Sequence, residues 1–205
     1  MKCYVMECVG TMFLVLAISL TGNPIAIGTM LAVIVYMGAH ISGAHYNPAV
    51  TLGFWLRGKM KTKEVLPYMF AQILGGFFAG VIYFFLAGQR YFPAPAAGVS
   101  YAKVFGVELL FTFFLVYTIL VVTSAKKAKV NHLFGLVIGF ALMTISFLGG
   151  TYNPAVSIGP SLFDAAFQGP AIWHMPLYVG STLSGGALAA LFYRYMYCEE
   201  FKKKK

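Results

Sequence analysis

Residues 42–53 read Ser-Gly-Ala-His-Tyr-Asn-Pro-Ala-Val-Thr-Leu-Gly, and residues 148–159 read Leu-Gly-Gly-Thr-Tyr-Asn-Pro-Ala-Val-Ser-Ile-Gly. Both stretches share a Tyr-Asn-Pro-Ala-Val core. Asparagine is a favoured helix N-cap, and proline suits the first helical turn because its missing N–H is not needed there. Each stretch therefore predicts the start of a short helix, over residues 47–57 and 153–163. A helix of about 11 residues is roughly 16 Å long, which is half the thickness of the apolar part of a membrane.

Six longer apolar segments surround these two short ones, and each approaches the length of about 20 residues that a transmembrane helix needs. Their predicted bounds are residues 3–21, 25–42, 64–88, 101–124, 131–148 and 173–197. The chain of 205 residues is 60% hydrophobic and only 10% charged, which excludes a disordered chain, a collagen and an ordinary soluble enzyme. We therefore predict an all-α membrane protein with six transmembrane helices and two re-entrant half-helices.

The basic residues lie in short clusters between the apolar segments. Lys2 opens the chain, and further clusters occupy residues 57–63, 126–129 and 202–205. If six helices span, all these clusters fall on one side, which the positive-inside rule makes cytoplasmic. We expect a multi-pass protein of the plasma or inner membrane with both termini in the cytoplasm. The net charge of +9 thus reflects membrane orientation and does not indicate a nucleic-acid partner.

The chain contains an internal repeat that extends beyond the two short helices. Glu7 lies 40 residues before Asn47, and Glu108 lies 45 residues before Asn153. Each half therefore contains a helix with glutamate, a second helix, an Asn-Pro-Ala half-helix and a third helix. The two halves, at about 1–90 and 100–200, belong to a single domain over 1–205. Because each half spans the membrane three times, an odd number, the halves must have opposite orientations. The N-termini of the two half-helices then meet near the middle of the membrane.

Such a meeting point has an electrostatic consequence. A helix N-terminus carries about half a positive charge, and two of them facing one passage repel cations, including protons. We expect the asparagine side chains to donate hydrogen bonds to a passing water molecule and so to interrupt a chain of waters that could conduct protons. The predicted centre of the pore comprises the two motifs, Asn47, Pro48, Ala49, Asn153, Pro154 and Ala155.

The two motifs, in matched contexts within inverted halves, resemble those of the major intrinsic protein family, the aquaporins and glycerol facilitators, over nearly the whole chain. The resemblance implies six tilted helices, two half-helices, one pore in each protomer and a homotetramer in the lipid bilayer. It also implies a passive channel for water and small neutral solutes, with no catalytic activity and no cofactor. Asn47 and Asn153 match the paired asparagines of the family.

Two kinds of polar residue near the motifs have expected roles. A carboxyl group within a membrane helix costs about 2.5–3.5 kcal/mol or more if it is unpaired. Glu7 and Glu108 are therefore expected to brace the polar backbone of the re-entrant loops, as the resemblance also suggests. His45 is expected to line the cytoplasmic vestibule or to bond to a loop carbonyl. The four histidines have no metal-ligand spacing, and no metal site is predicted.

The chain departs from the family pattern at the outer selectivity filter. Most members have arginine directly after the second Asn-Pro-Ala, where this chain has Val156. The other predicted filter positions are Ile27, Gly150 and a residue of the fifth spanning helix, either Ser146 or Ala141. This ring would lack arginine, histidine and aromatic side chains. We therefore expect a wider and less polar constriction, which admits small neutral solutes besides water.

Several other functions compete with a water channel. A glycerol or small-solute facilitator with a wide filter, or a non-conducting structural membrane protein, fits the same repeat. Ion-coupled transporters also use inverted repeats and broken helices, but the charge within the membrane is limited to Glu7 and Glu108. No nucleophile–base or paired-carboxylate arrangement points to an intramembrane enzyme.

Overall fold

A computed structural model describes residues 1–126 and 132–201 of the chain. Within these residues, eight α-helices run in the order α1 (Lys2–Thr21), α2 (Pro24–Ser42), α3 (Pro48–Leu56), α4 (Thr62–Ala87), α5 (Tyr101–Ser124), α6 (Phe134–Ser146), α7 (Pro154–Ala165) and α8 (Met175–Met196). Two short 3-10 helices, Pro170–Trp173 and Cys198–Phe201, precede and follow α8. The all-α fold class is confirmed.

In the described part of the chain, five helices are long and apolar enough to cross a membrane: α1, α2, α4, α5 and α8. The sixth predicted span, over 131–148, is shorter than expected: α6 has 13 residues, which is about 20 Å of helix. Residue 131 lies outside the described residues. At its other end α6 stops at Ser146, because the chain turns through Phe147 and Leu148 into Gly149 at φ +70°. Positive φ favours glycine, so Gly149 gives this boundary its physical cause.

The helices pack in a pattern that repeats between the two halves. Helix α1 packs against α4 in the first half, as α5 packs against α8 in the second. Each half-helix packs mainly against a long helix of the other half, α3 against α8 and α7 against α4. Helices α2 and α6 pack against each other across the repeat. The two halves are therefore interlocked through their half-helices.

Glycines allow the half-helices to approach the long helices closely. A Cβ atom added at Gly76 of α4 would lie 2.5 Å from the carbonyl oxygen of Ala155, and one added at Gly186 of α8 would lie 2.6 Å from that of Ala49. These distances are shorter than any van der Waals contact. The alanines of both Asn-Pro-Ala motifs are therefore held against backbone of the opposite half.

The N-terminus and the last described residues, up to Phe201, lie at one end of the helix bundle. Tyr4 of the first turn of α1 donates to Glu64 at the start of α4, and Arg57 at the end of α3 pairs with Glu200 near the C-terminus. We call this end, which also carries Lys59 and Lys61, the basic end. Helix α7 ends at the opposite end of the bundle, where Asp164 pairs with Arg90, which follows α4. Since α3 ends at the basic end and α7 at the other, the half-helices point in opposite directions.

Candidate pore

The N-termini of the two half-helices are built in the same way. Asn47 is the N-cap of α3, and its Oδ1 accepts from the N–H of Ala49 at 2.8 Å. Asn153 is the N-cap of α7, and its Oδ1 accepts from the N–H of Ala155 at 2.9 Å. Pro48 and Pro154 occupy the first helical positions.

The asparagines also join the two half-helices to each other. Nδ2 of Asn47 donates to the carbonyl oxygen of Tyr152 at 2.8 Å, and Nδ2 of Asn153 donates to that of Tyr46 at 2.9 Å. Each asparagine therefore bonds to the residue that precedes its counterpart. An amide NH2 group has two donor hydrogens, so each side chain has a second N–H besides this cross-link. The prediction assigned the amides only to passing water, and it did not anticipate the cross-links.

The two tyrosines before the motifs adopt a rare backbone conformation. Both Tyr46 and Tyr152 have φ +51°, a left-handed conformation that is uncommon for residues other than glycine. Each phenol O–H donates to a carbonyl of the preceding helix, Tyr46 to Ile34 and Tyr152 to Ile145, at 3.0 and 3.1 Å. This turn directs each tyrosine carbonyl toward the asparagine of the other half.

Glu7 holds the first re-entrant loop from behind. Its Oε2 accepts from the N–H of Tyr46 at 2.6 Å, and its Oε1 accepts from the N–H of His45 at 3.0 Å. The hydroxyl of Ser42 and the amide of Gln72 donate to the same carboxylate at 2.7 and 2.8 Å. Glu7 is fully buried, so these four donors replace the water that a carboxylate needs.

Glu108 makes the corresponding contacts in the second half. Its carboxylate accepts from the backbone N–H groups of Thr151 at 2.6 Å and Tyr152 at 2.7 Å, and from the Thr151 hydroxyl at 3.1 Å. The backbone of each tyrosine is thus fixed on both sides, by a glutamate of its own half and an asparagine of the other half.

A narrow cavity passes the two asparagines. About 30 Å³ of it is open to the centres of water molecules, which is room for a short file of water. Its polar side chains are His45, Asn47, Thr123, Thr151, Tyr152 and Asn153. The rest of the wall is mainly aliphatic: Leu14, Ile18, Leu31, Val35, Val50, Leu115, Ile119, Ile138, Leu142 and Val156. Water inside therefore has hydrogen-bond partners only at a few positions along the wall.

A second and wider cavity of about 600 Å³ opens at the basic end and is called here the basic mouth. It shares Gly43, His45 and Thr123 with the narrow cavity. The ring of His45 stacks on Phe54 at 4.5 Å between centroids, and its Nδ1 lies 3.1 Å from Oγ1 of Thr51. His45 therefore stands where the narrow cavity widens into the mouth.

The residues predicted for the outer filter lie in different places. Val156 lines the narrow cavity, whereas Gly150 lines a separate cavity of about 360 Å³ beside Glu108 and Tyr178. Ile27 is buried in the main apolar core. Ser146 donates its hydroxyl to the carbonyl of Leu142 at 2.7 Å.

The alternative filter position on the same helix, Ala141, is also buried in that core. On α6 the cavity wall is formed instead by Phe134, Ile138 and Leu142. The structure thus brings together the two motifs, His45 and Val156, but it does not place the other filter candidates on the same cavity.

Some residues of the site were not singled out from the sequence. Tyr46 and Tyr152 belong to the repeated sequence core, but their role depends on a positive φ, which the amino-acid sequence does not indicate. Gln72 donates both to Glu7 and to Oγ1 of Thr51, at 2.8 and 2.9 Å. A glutamine within an otherwise apolar span was the available signal for that contact.

Comparisons with known proteins agree with this geometry. Residues 1–193 match the family model described as Major intrinsic protein. The chain is 35% identical to Aquaporin AqpM of Methanothermobacter thermautotrophicus over 187 residues, and this match covers 85% of the chain and 76% of the relative. It is 29% identical over 200 residues to Aquaporin Z of Photorhabdus laumondii, covering 86% and 85%. The fold matches the X-ray structure of the aquaglyceroporin from Plasmodium falciparum with a TM-score of 0.85, at 22% identity and 97% coverage of each chain.

Proposed function

Because the chain belongs to the major intrinsic protein family, we propose that it is a passive membrane channel that conducts water and small neutral solutes and excludes ions. The observation that carries this proposal is the cavity at the joined N-termini of α3 and α7, lined by Asn47 and Asn153. The helix N-termini and amide N–H groups there favour the oxygen of water over a cation. The similar sequences are aquaporins, and the similar structure is an aquaglyceroporin. We propose no catalytic role for the chain.

Water conduction through this site is supported by its size and chemistry. The narrow cavity has room for a few water molecules, and its polar groups are concentrated near the two motifs. Water that accepts from the free N–H of an asparagine directs its own hydrogens away from the half-helix N-termini. Protons would therefore meet both a positive potential and an interrupted chain of hydrogen bonds at one level of the membrane.

Passage of a larger neutral solute is supported by Val156. In most family members an arginine stands at this position, whereas the valine adds neither charge nor a hydrogen-bond donor to the cavity wall. We propose that the constriction beside Val156 is wide enough for glycerol-sized molecules, although the other predicted filter positions do not line the same cavity. On this reading the chain combines a water channel with a small-solute facilitator.

Stopped-flow measurements on reconstituted vesicles test the proposed function. An osmotic step with an impermeant solute should cause fast shrinkage with a low activation energy, and the rate should not depend on an ion gradient. A glycerol step should cause shrinkage followed by reswelling as glycerol enters. Shrinkage at the rate of protein-free vesicles would favour a non-conducting structural protein. Shrinkage that required an ion gradient would favour a coupled transporter.

We also propose the arrangement of the protein in its membrane. The exposed surface of the bundle is rich in large apolar side chains, such as Leu66, Phe70 and Phe85, as a bilayer contact requires. The basic end would face the cytoplasm of a plasma or inner membrane. Labelling of the exposed Cys198 with a membrane-impermeant maleimide, in vesicles of known orientation, tests that assignment.

The oligomeric state follows the family expectation of a homotetramer in which each protomer has its own pore. We propose the same for this chain, as one domain with two inverted halves. Native mass measurement of the detergent-solubilised protein tests it. A mass of four chains is expected, whereas a monomer that conducts water would contradict the tetramer but leave the pore intact.

A further inference from the structure

The side chain of Gln72 on α4 donates to two acceptors behind the first re-entrant loop. Its Nε2 lies 2.8 Å from Oε2 of Glu7 and 2.9 Å from Oγ1 of Thr51. A carboxylate only accepts hydrogen bonds, so the nitrogen of the amide, and not its oxygen, must face Glu7. The two N–H groups of the amide are thereby both used, one on each acceptor. All three side chains are fully buried.

The oxygen of the same amide has no hydrogen-bond partner in the described part of the chain. A buried polar atom that lacks a hydrogen bond costs about 1–3 kcal/mol. Leucine or methionine would avoid this cost in an otherwise apolar helix. The presence of glutamine is therefore explained by what its NH2 group holds, which is Glu7 on one side and Thr51 on the other.

The hydroxyl of Thr51 connects Gln72 to His45. A hydroxyl has a single proton to donate, and because Oγ1 accepts from Gln72, that proton cannot point toward the amide. Among the described residues, the other hydrogen-bond partner of Oγ1 is Nδ1 of His45 at 3.1 Å. A buried hydroxyl proton needs an acceptor, so Nδ1 is the nitrogen without a proton. The proton of the neutral ring then lies on Nε2.

The ring of His45 is held so that Nε2 is left for the channel. It stacks on Phe54 at 4.5 Å between centroids and lies 5.5 Å from the ring of Tyr68. His45 lines both the narrow cavity and the basic mouth. Within residues 1–126 and 132–201, Nε2 has no hydrogen-bond partner and is not enclosed by protein. Its N–H is therefore available to water at the point where the two cavities meet.

We propose that Gln72 is a positioning residue that acts through Thr51 to fix His45 as the Nε2–H tautomer, which makes the entrance of the narrow cavity a hydrogen-bond donor. The inference rests on the proposed function. Water that enters from the basic mouth accepts from His45 before it reaches the N–H groups of Asn47 and Asn153. The oxygen of water or of a neutral solute is favoured at all three positions, whereas a cation meets only donors.

Nuclear magnetic resonance of the ring nitrogens tests the tautomer in the full-length protein, reconstituted in vesicles with isotope-labelled histidine. The signals of His45 are assigned by their absence from His45→Gln. We expect the wild type to contain the Nε2–H tautomer alone at neutral pH. Gln72→Met removes both N–H donors at similar length, and the Thr51 hydroxyl can then turn and accept from Nδ1–H. A mixture of the two tautomers is therefore expected in Gln72→Met.

Substitutions of Thr51 separate the tautomer from the bracing of Glu7. Thr51→Val removes the hydroxyl at nearly constant shape, and it leaves the bond from Gln72 to Glu7 in place. We expect it to give mixed tautomers and a several-fold lower water permeability per channel, because the donor at the entrance is no longer fixed. Thr51→Ser keeps a hydroxyl and should retain the tautomer and the permeability of the wild type.

Three results would overturn the proposal: an Nδ1–H tautomer in the wild type, the Nε2–H tautomer alone in both Gln72→Met and Thr51→Val, or mixed tautomers with wild-type permeability. If Gln72→Met does not yield folded protein, Gln72→Asn decides the same question, because its shorter amide cannot reach both acceptors. A wild type that shows the Nε2–H tautomer but conducts no water refutes the proposed function, and is thus distinguishable from failure of the link through Thr51.

Discussion

At the scale of single residues, the centre of the molecule depends on reciprocal contacts between its halves. Asn47 and Asn153 each cap their own half-helix and bond to the tyrosine carbonyl of the other half. Capping was predictable, because the order Asn-Pro at a helix start has a local cause. The cross-links were not, because they join residues over 100 positions apart through a backbone turn with positive φ.

The substitution Asn153→Asp is predicted to impair the pore. It replaces the NH2 group that donates to the Tyr46 carbonyl with an oxygen, and it adds negative charge where the half-helices are positive. We expect a several-fold lower water permeability and a measurable cation leak in vesicles. Asn23→Asp is the matched control, since Asn23 also caps a helix before proline but is exposed at the start of α2. If Asn153→Asp had an unchanged water permeability and no cation leak, the central role of this amide would be refuted.

Val156→Arg is predicted to narrow the channel. Val156 is 1% exposed and lies on the cavity wall, so a longer charged side chain must occupy the cavity or displace its neighbours. Glycerol permeability should fall more than water permeability, as measured by reswelling after a glycerol step. Val156→Met supplies length without charge, and comparison of the two variants separates steric from electrostatic effects. Unaltered glycerol entry in Val156→Arg would show that the filter lies elsewhere.

At the scale of secondary structure, apolar length and breaker residues predict the helices well, whereas tertiary contacts decide their ends. Helices α1, α2 and α5 lie close to their predicted bounds. Helix α6 is shorter than its apolar segment because Phe147 and Leu148 remain apolar after the helix has ended. Hydrophobicity alone cannot mark that end, since the turn is set by Gly149 and by the tie of Tyr152 to the Gly149 carbonyl.

Gly76→Ala is predicted to displace a half-helix. The new methyl group would meet the Ala155 carbonyl at 2.5 Å, and overpacking of this kind costs about 1–3 kcal/mol. We expect a lower thermal unfolding temperature and reduced water permeability. Gly106→Ala in α5 is the control, because a Cβ there meets nothing within 4 Å and alanine favours a helix by up to about 1 kcal/mol. Equal stability of the two variants would contradict the close packing of α4 on α7.

Glu108→Gln is predicted to loosen the second re-entrant loop. The amide can place only one oxygen toward the Thr151 and Tyr152 N–H groups, and its NH2 group would face a donor. Loss of such buried hydrogen bonds costs about 1–3 kcal/mol. The expected result is a lower unfolding temperature without the appearance of proton transport. An unchanged unfolding temperature would mean that the carboxylate does not brace the loop.

At the scale of the whole molecule, function depends on two interlocked halves with opposite directions. Counting spans in the sequence predicts this inversion, because three is odd. The sequence does not predict which filter candidates share a cavity: Gly150 and Val156 line different cavities, and Ile27 lies in the core. Such placement depends on small rotations of helices, which the pattern of apolar residues does not determine.

Simultaneous measurement of water and proton flux in the same reconstituted vesicles tests the central claim most directly. An osmotic step and a pH step are applied to vesicles that contain the protein and a pH-sensitive dye. The joined positive ends of α3 and α7 predict rapid water flow together with a proton permeability no greater than that of protein-free vesicles. Proton flux that rises in step with water flux, or water flow no faster than through bare lipid, would contradict it.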